Sequence, residues 1–190
     1  FDGGRNRTMH RSISYRTGAI AIIAFGIYLL SFRWSDWFAG TMVRHQLLQL
    51  PLMFLSGVVV SMIISFKIHD TAYGLAILIF SLFSLTFWML PRSVDMAVID
   101  PFFGRLMDLN MLTAGFLIRG IFAGDLFEMR LLFLGMMTAM LIAVGVTLRV
   151  YDLLLCSSFD IPQQKTTGYY MLLLSGGLLS FTLFHLFRIR

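Results

Sequence analysis

Cysteine and charge are the scarcest components of this 190-residue sequence. Cys156 is the single cysteine, which excludes an internal disulfide and any Cys-x-x-Cys metal or redox motif. Charged residues make up 13% of the chain, whereas an ordinary soluble domain contains about 25%. The sequence also has no Walker phosphate loop, no Gly-x-Ser-x-Gly and no His-Glu-x-x-His. We therefore expect neither a hydrolase nor a nucleotide-driven pump, and we predict that the protein is not an enzyme.

The residues that are abundant are hydrophobic: they make up 58% of the chain, and the mean hydropathy is +0.81. Several apolar runs approach the roughly 20 residues that a bilayer span needs. We predict an all-α membrane protein, a bundle of about six transmembrane helices in one domain (17–190) that follows a polar, basic N-terminal segment (1–16). The predicted spans are residues 17–32, 42–66, 71–90, 106–123, 129–148 and 168–187.

The distribution of Lys and Arg predicts the orientation of this bundle. With the N-terminus inside, nine of these residues lie on the inner side and six on the outer side, so the positive-inside rule favours N-in and C-in. The second, fourth and sixth helices then begin at the outer face. This predicts one polar cluster there, made of Arg44, Arg105, Asp108, Asn110, Asp160, Gln163 and Gln164. The net charge is +5, but the basic residues form no patch with interleaved aromatics, so we expect no nucleic-acid partner.

Asp108 has two interpretations. It is either a helix cap or structural ion pair, with Arg44 or Arg105 as the partner, or it is a polar group that faces a shared cavity. Elsewhere, the small-residue pairs Gly135–Ala139 and Gly176–Ser180 predict close contacts between helices.

Soft and imidazole ligands recur at helical spacing near the same outer helix ends. Met42 and His45 are three residues apart, Met107 and Met111 are four apart, and each pair is expected on one helix face. Met171 lies just inside the last helix. Thioether and imidazole groups suit Cu(I), so these five residues are candidate copper ligands. The alternative is that they fill gaps in the packing, because the chain has 13 methionines; no other cofactor is expected.

Three segments of the chain, in order, resemble one protein family. Residues 41–48 (TMVRHQLL), with a proline at 51, follow a family pattern H-M-x-Q-H-L-L-L, and residues 101–115 follow a second, proline-led helix start. Asp160, Gln163, Gln164, Gly168 and Met171 follow the outline of a third pattern, D-Q-Q-x-x-G-x-x-M, with two residues inserted after the aspartate and one before the glycine. These segments are similar to the CtaG-type cytochrome c oxidase assembly proteins of bacteria.

The resemblance implies a helical membrane fold with seven helices in the family, a place in the bacterial plasma membrane, and a link to electron transport and copper insertion into an oxidase. This chain departs from the family at its histidines: Thr41 and Arg44 replace a histidine and a glutamine, and the histidines of the second segment are absent. The departures favour an accessory or structural subunit of, or assembly factor for, a larger respiratory-type membrane complex. The alternatives are a copper-handling assembly factor for a haem–copper oxidase and a small-solute or ion channel. The expected partners are membrane lipids and other membrane protein subunits.

Overall fold

A computed structural model describes residues 23–64, 66–151 and 154–188, and these residues form helices and connections without a strand. In chain order the helices are α1 (Ile23–Arg33), α2 (Ser35–Ala39), α3 (Met42–Ile64), α4 (Thr71–Met89), α5 (Pro91–Ile99), α6 (Pro101–Ala123), α7 (Phe127–Val150) and α8 (Ile161–Arg188). The predicted all-α class is confirmed for this part of the chain.

Five of these helices, α3, α4, α6, α7 and α8, are long and apolar enough to cross a membrane. The described part of α1 is apolar but shorter. The start of the predicted first span and the predicted polar segment 1–16 lie outside the described residues. The membrane-protein class therefore agrees with the structure, whereas the count of six spans and the N-in orientation stay predictions.

Three helices have a proline in their first turn, and the sequence analysis had placed all three prolines in connections. Helix α6 begins at Pro101 instead of 106, helix α8 begins at Ile161 instead of 168, and α5 occupies most of a segment expected to be a loop. Proline is favoured in the first turn of a helix because its missing N–H has no partner there. A carboxylate precedes two of these starts: Asp100 accepts a hydrogen bond from the backbone N–H of Phe102 (2.8 Å), and Asp160 accepts one from that of Gln163 (2.9 Å).

Two helices contain a turn that is wider than an α-turn. Residues Leu29–Arg33 of α1 and His45–Gln49 of α3 are π-helical, and the N–H of Leu50 bonds to the carbonyl of His45, five residues earlier. Pro51 follows the second π turn directly and cannot donate a hydrogen bond, so the ladder is interrupted where the turn widens. Each wide turn changes the direction in which the residues around it point.

Glycines permit the closest helix crossings. Helix α3 packs along α6 at Gly57 and Gly115: a Cβ at Gly57 would lie 2.0 Å from a carbonyl oxygen of α6, and one at Gly115 would lie 1.9 Å from a carbonyl oxygen of α3. Helices α7 and α8 meet in the same way at Gly145 and Gly168, whose added Cβ atoms would lie 3.0 and 2.7 Å from the carbonyl oxygen of the facing glycine. Backbone contact at this range excludes any larger side chain without a shift of the helices.

The small-residue pairs singled out from the sequence do not form such crossings. Gly135, Ala139, Gly176 and Ser180 are exposed, and a Cβ at either glycine would meet no atom within 4 Å. The prediction of close contacts at these pairs is wrong within the part of the chain that the structure describes. Small-residue spacing marks a smooth helix face, but it does not specify what that face meets.

Candidate functional site

The beginnings of α3, α6 and α8 lie at the same end of the bundle. The backbone N–H of Met42 donates to Oε1 of Gln163 (3.3 Å), which joins the start of α3 to the start of α8. Nε2 of Gln49 donates to Oδ1 of Asp108 (3.1 Å), which joins α3 to α6. The segments that the sequence analysis expected at one depth are therefore neighbours.

Four polar side chains at this end form a continuous chain of hydrogen bonds, which we call the polar relay. Ser31 Oγ donates to Asp108 Oδ2 (2.6 Å), Gln49 Nε2 donates to the other carboxylate oxygen, and His45 Nδ1 lies 2.9 Å from Gln49 Oε1. Since the amide nitrogen of Gln49 faces the carboxylate, its oxygen accepts, and Nδ1 of His45 carries the proton. The relay therefore sets the orientation of the imidazole ring.

The other nitrogen of this imidazole is free. His45 is 2% exposed, and its Nε2 has no hydrogen-bond partner among the described residues. With Nδ1 protonated, Nε2 of the neutral ring is a lone-pair donor. An unpaired buried nitrogen of this kind costs about 1–3 kcal/mol, which a hydrogen-bond donor or a metal ion would offset.

His45 lines a cavity of about 230 Å³ between α1, α2, α3, α5 and α6, which we call the polar cavity. Its polar lining residues are Ser31, Ser35, Asp36, His45, Gln49, Arg105 and Asp108. Both π turns contribute to it, since Ser31 lies in the first and both His45 and Gln49 lie in the second. Wide turns inside α-helices are frequent at functional sites, so the backbone and the side chains indicate the same place.

The interpretation of Asp108 as a helix cap or ion pair is wrong. Asp108 lies about two turns into α6, because that helix begins earlier than predicted, and its partners are a hydroxyl and an amide. Arg44 and Arg105 instead lie over aromatic rings, 4.3 Å from the ring centre of Trp37 and 4.8 Å from that of Phe32. In the described part of the chain, neither arginine pairs with this carboxylate. The second interpretation, a polar group facing a shared cavity, matches the observed position.

The remaining polar candidates hold the fold together. Gln164, 1% exposed, accepts from the N–H of Leu155 (3.2 Å) and donates to two carbonyls of the preceding loop, including that of Phe159 (2.9 Å). Oδ1 of Asn110 accepts from the indole N–H of Trp88 (3.1 Å). Asp160 caps α8 and Gln163 joins α8 to α3, as described above. Asn110, Asp160, Gln163 and Gln164 therefore have structural roles.

The five candidate copper ligands are all buried, but they do not share one cavity. Met107 and Met111 belong to one apolar cluster, Met42 and Met171 belong to another, and His45 faces the polar cavity. Met42 and His45 do not line the same cavity, although they are three residues apart on one helix. The described residues also hold no group of three or more His, Cys, Asp and Glu that could bind a metal. The five-residue donor set therefore does not fit a single copper ion, and the four methionines pack.

Two residues of the relay were not found from the sequence. Gln49 carries a signal in hindsight, since it lies four residues after His45 on the same helix. Ser31 carries none, because a serine in an apolar run most often bonds to its own helix. Its partner is 77 residues away in the sequence.

Comparison with protein-family models, with curated proteins and with solved structures finds no match to this chain. The function is therefore argued from the chemistry of the polar cavity, from the surface of the bundle and from the resemblance stated above.

Proposed function

We propose that this chain is a non-catalytic accessory or assembly protein of a larger membrane complex of respiratory type, in a bacterial plasma membrane. The observation that carries the proposal is the buried Nε2 of His45, which the relay holds in place without a partner. The relay fixes one side of the imidazole, and Nε2 on the other side is left to bind a group of another molecule. The respiratory setting rests on the resemblance of three segments to the CtaG-type assembly proteins.

The relay is suited to binding and less suited to stability. Three of its members are buried and Ser31 is partly buried, and the net stabilisation from each hydrogen bond is only about 0.5–3 kcal/mol, with the higher values for a charged acceptor. An apolar set of similar volume is often as stable as a buried polar one. A polar arrangement that also leaves one nitrogen unpaired is therefore better explained by recognition.

The outer surface of the bundle offers a place for a partner subunit. The pairs Gly135–Ala139 and Gly176–Ser180 are exposed on α7 and α8, which are adjacent helices. Pairs with this spacing allow close approach of helices in membranes, where packing and not the hydrophobic effect drives association. They support a docking face for another transmembrane helix.

Native electrophoresis after extraction in mild detergent tests the proposal. We expect the chain to migrate in an assembly much larger than its own 21.6 kDa, and Gly176→Leu to release it. Gly176→Leu introduces a side chain into open space, so the fold of the chain itself is retained. The matched control is Ala76→Leu, at an exposed position of α4. Migration of the wild-type protein as a lone chain rejects the proposal.

Copper handling is the second candidate, and the orientation of His45 favours it. Metal-binding histidines commonly donate one ring N–H to a fixed acceptor, which leaves the other nitrogen to bind the metal. His45 would supply one such nitrogen, and the cargo ion would need its other ligands from a partner. Metal analysis of the purified complex tests this: His45→Ala should remove the copper, and Met171→Leu should not. Copper at background level in the wild-type complex removes this candidate.

A further inference from the structure

A second cavity, of about 220 Å³, lies between α3, α4 and α7, apart from the polar cavity. Met42, Met89, Val144, Leu148 and Leu155 form most of its apolar wall. None of its lining residues carries a charge. We call it the side cavity.

The side cavity contains one polar side chain that has nothing to bind. Gln46 is 0% exposed, and neither its Nε2 nor its Oε1 has a hydrogen-bond partner among the described residues. A side-chain amide offers a donor and an acceptor next to each other, and each buried group costs about 1–3 kcal/mol when unpaired. A group that satisfies Gln46 must therefore accept one hydrogen bond and donate another.

Neighbouring hydroxyls do not compete for this role. Thr86 and Thr147 both line the cavity, but the first donates to the carbonyl of Leu82 and the second to that of Ala143, each at 2.8 Å. The single proton of each hydroxyl is used in this way, and Oγ1 of Thr86 also lies 3.3 Å from Sδ of Met140. The free amide is thus the one group in the cavity wall whose donor has no acceptor.

The side cavity opens on the flank of the bundle. Thr86, Leu90, Ala143 and Thr147 lie at its edge and are exposed. All but Leu90 belong to α4 and α7, which are candidate membrane spans, and Leu90 directly follows α4. Since these exposed residues lie on the outside of candidate spans, we expect a molecule to enter the cavity from the surrounding lipid.

We propose that the side cavity binds the head of a membrane-borne amphiphile that is uncharged and both donates and accepts hydrogen bonds: the protonated carboxyl group of a fatty acid or the amide group of a fatty amide. Such a head pairs with both atoms of Gln46, and its hydrocarbon tail leaves through the edge into the bilayer. Esters and quinones only accept, so they leave Oε1 of Gln46 unpaired. Charged head groups are disfavoured because the wall has no counter-charge.

Photolabelling of the purified full chain in lipid nanodiscs tests this assignment. The probe is palmitic acid with a diazirine and an alkyne in its chain, and labelled peptides are mapped by mass spectrometry. We expect saturable labelling of peptides around the cavity, with palmitic acid and palmitamide as competitors. Methyl palmitate and a short-chain ubiquinone should compete roughly tenfold less well, since each loses one of the two hydrogen bonds.

Substitution of Gln46 separates recognition from non-specific lipid contact. Gln46→Leu keeps the volume and removes the amide, so labelling should fall roughly tenfold while the unfolding temperature stays equal or rises. Ser56→Ala, at a partly exposed position of the same helix outside the cavity wall, should leave labelling unchanged. Equal competition by the methyl ester, or undiminished labelling of Gln46→Leu, overturns the proposal. Uniform, unsaturable labelling overturns it too, with Gln46 then satisfied by water alone.

Discussion

Gln49 is the residue on which the polar relay depends, since its amide touches both His45 and Asp108. Gln49→Leu fills a similar volume but leaves a buried imidazole N–H and a carboxylate oxygen unpaired. At about 1–3 kcal/mol for each group, we expect a clear fall in the unfolding temperature in detergent. Ser56→Ala, which removes an exposed bond within α3, should change stability by about 0.5 kcal/mol at most. Equal unfolding temperatures for the wild type and Gln49→Leu would show that the relay is not formed.

Asp95 fixes the connection that precedes α8. Its Oδ2 accepts from the backbone N–H (2.7 Å) and the hydroxyl (2.9 Å) of Ser157, and its Oδ1 accepts from the backbone N–H of Ser158 (2.9 Å). Burial raises the pKa of this carboxyl, but the hydrogen bonds from both serines outweigh burial and hold the pKa below its usual value. A lowered folded-state pKa means that the stabilisation is present above the unfolded value and is lost as the pH falls through the folded value.

The segment 154–160 should therefore be held at neutral pH and released in acid. Hydrogen exchange of its backbone amides, corrected for the intrinsic pH dependence of exchange, should stay slow down to about pH 4 and accelerate below it. Arg92→Ala, an exposed change on the same helix, should leave this profile unchanged. An identical profile in Asp95→Ala would show that the carboxylate does not hold the segment.

Cys156 reports on the same contact at neutral pH. It is fully buried and directly precedes Ser157, which binds Asp95, and both burial and the charge of Asp95 raise the pKa of the thiol to about 12. A buried thiol with so little thiolate should resist maleimide at pH 7. Asp95→Ala frees the segment and removes the charge, so labelling should rise several-fold; since the chain has one cysteine, mass spectrometry reads it directly. Rapid labelling of the wild type would contradict this account.

At the scale of the helices, two close crossings depend on four glycines, Gly57 with Gly115 and Gly145 with Gly168. Gly57→Ala or Gly115→Ala places a methyl group within about 2 Å of a backbone oxygen, and backbone cannot rotate away as a side chain can. We expect destabilisation by about 1–3 kcal/mol or more. Gly135→Ala is the matched control, because it enters open space and should be neutral or gain about 0.5–1 kcal/mol from helix propensity. Unfolding in detergent measures both, and equal stability of Gly57→Ala and Gly135→Ala would refute the crossing.

The same glycines show how far sequence patterns determine this fold. Hydrophobic runs identified the five long helices, because length and composition alone decide what can span a bilayer. They did not identify which small residues meet, since Gly57 and Gly115 are partners only through the packing of α3 along α6. The sequence analysis also began α6 too far along the chain, because it assigned Pro101 to a connection, whereas Pro101 is the first residue of α6.

Part of the candidate site could be predicted from the sequence, and the rest depends on tertiary structure. His45 and Asp108 stand out as rare polar groups in apolar runs, and the positive-inside argument placed both at one end. The separation of Met42 from His45 depends on which helices pack around the start of α3, which the sequence of α3 alone does not show. Ser31 joins the relay only through tertiary structure.

At the scale of the whole molecule, the arrangement of the spans determines which side of the membrane the polar cavity faces. The turn between α3 and α4 and the turn between α6 and α7 meet at the end opposite the cavity, where Nδ1 of His69 lies 3.4 Å from Oδ2 of Asp125 at the exposed surface. Arg92, on α5, lies at the cavity end and is exposed. If the N-in orientation holds, the cavity end faces outward, and the contact between His69 and Asp125 faces the cytoplasm.

Single cysteines introduced at both ends test that orientation. In a Cys156→Ala background, which keeps a small apolar group at a buried position, Arg92→Cys should react with a membrane-impermeant maleimide in intact cells. Asp125→Cys should react only after the membrane is permeabilised. The reversed labelling pattern is compatible with the same fold in the opposite orientation. The polar cavity, and any partner that binds there, would then lie on the cytoplasmic side. Labelling of both cysteines in intact cells would place both ends of the bundle on the same side of the membrane. The spans could not then be arranged as described, and the proposed recognition role of the polar cavity would be rejected.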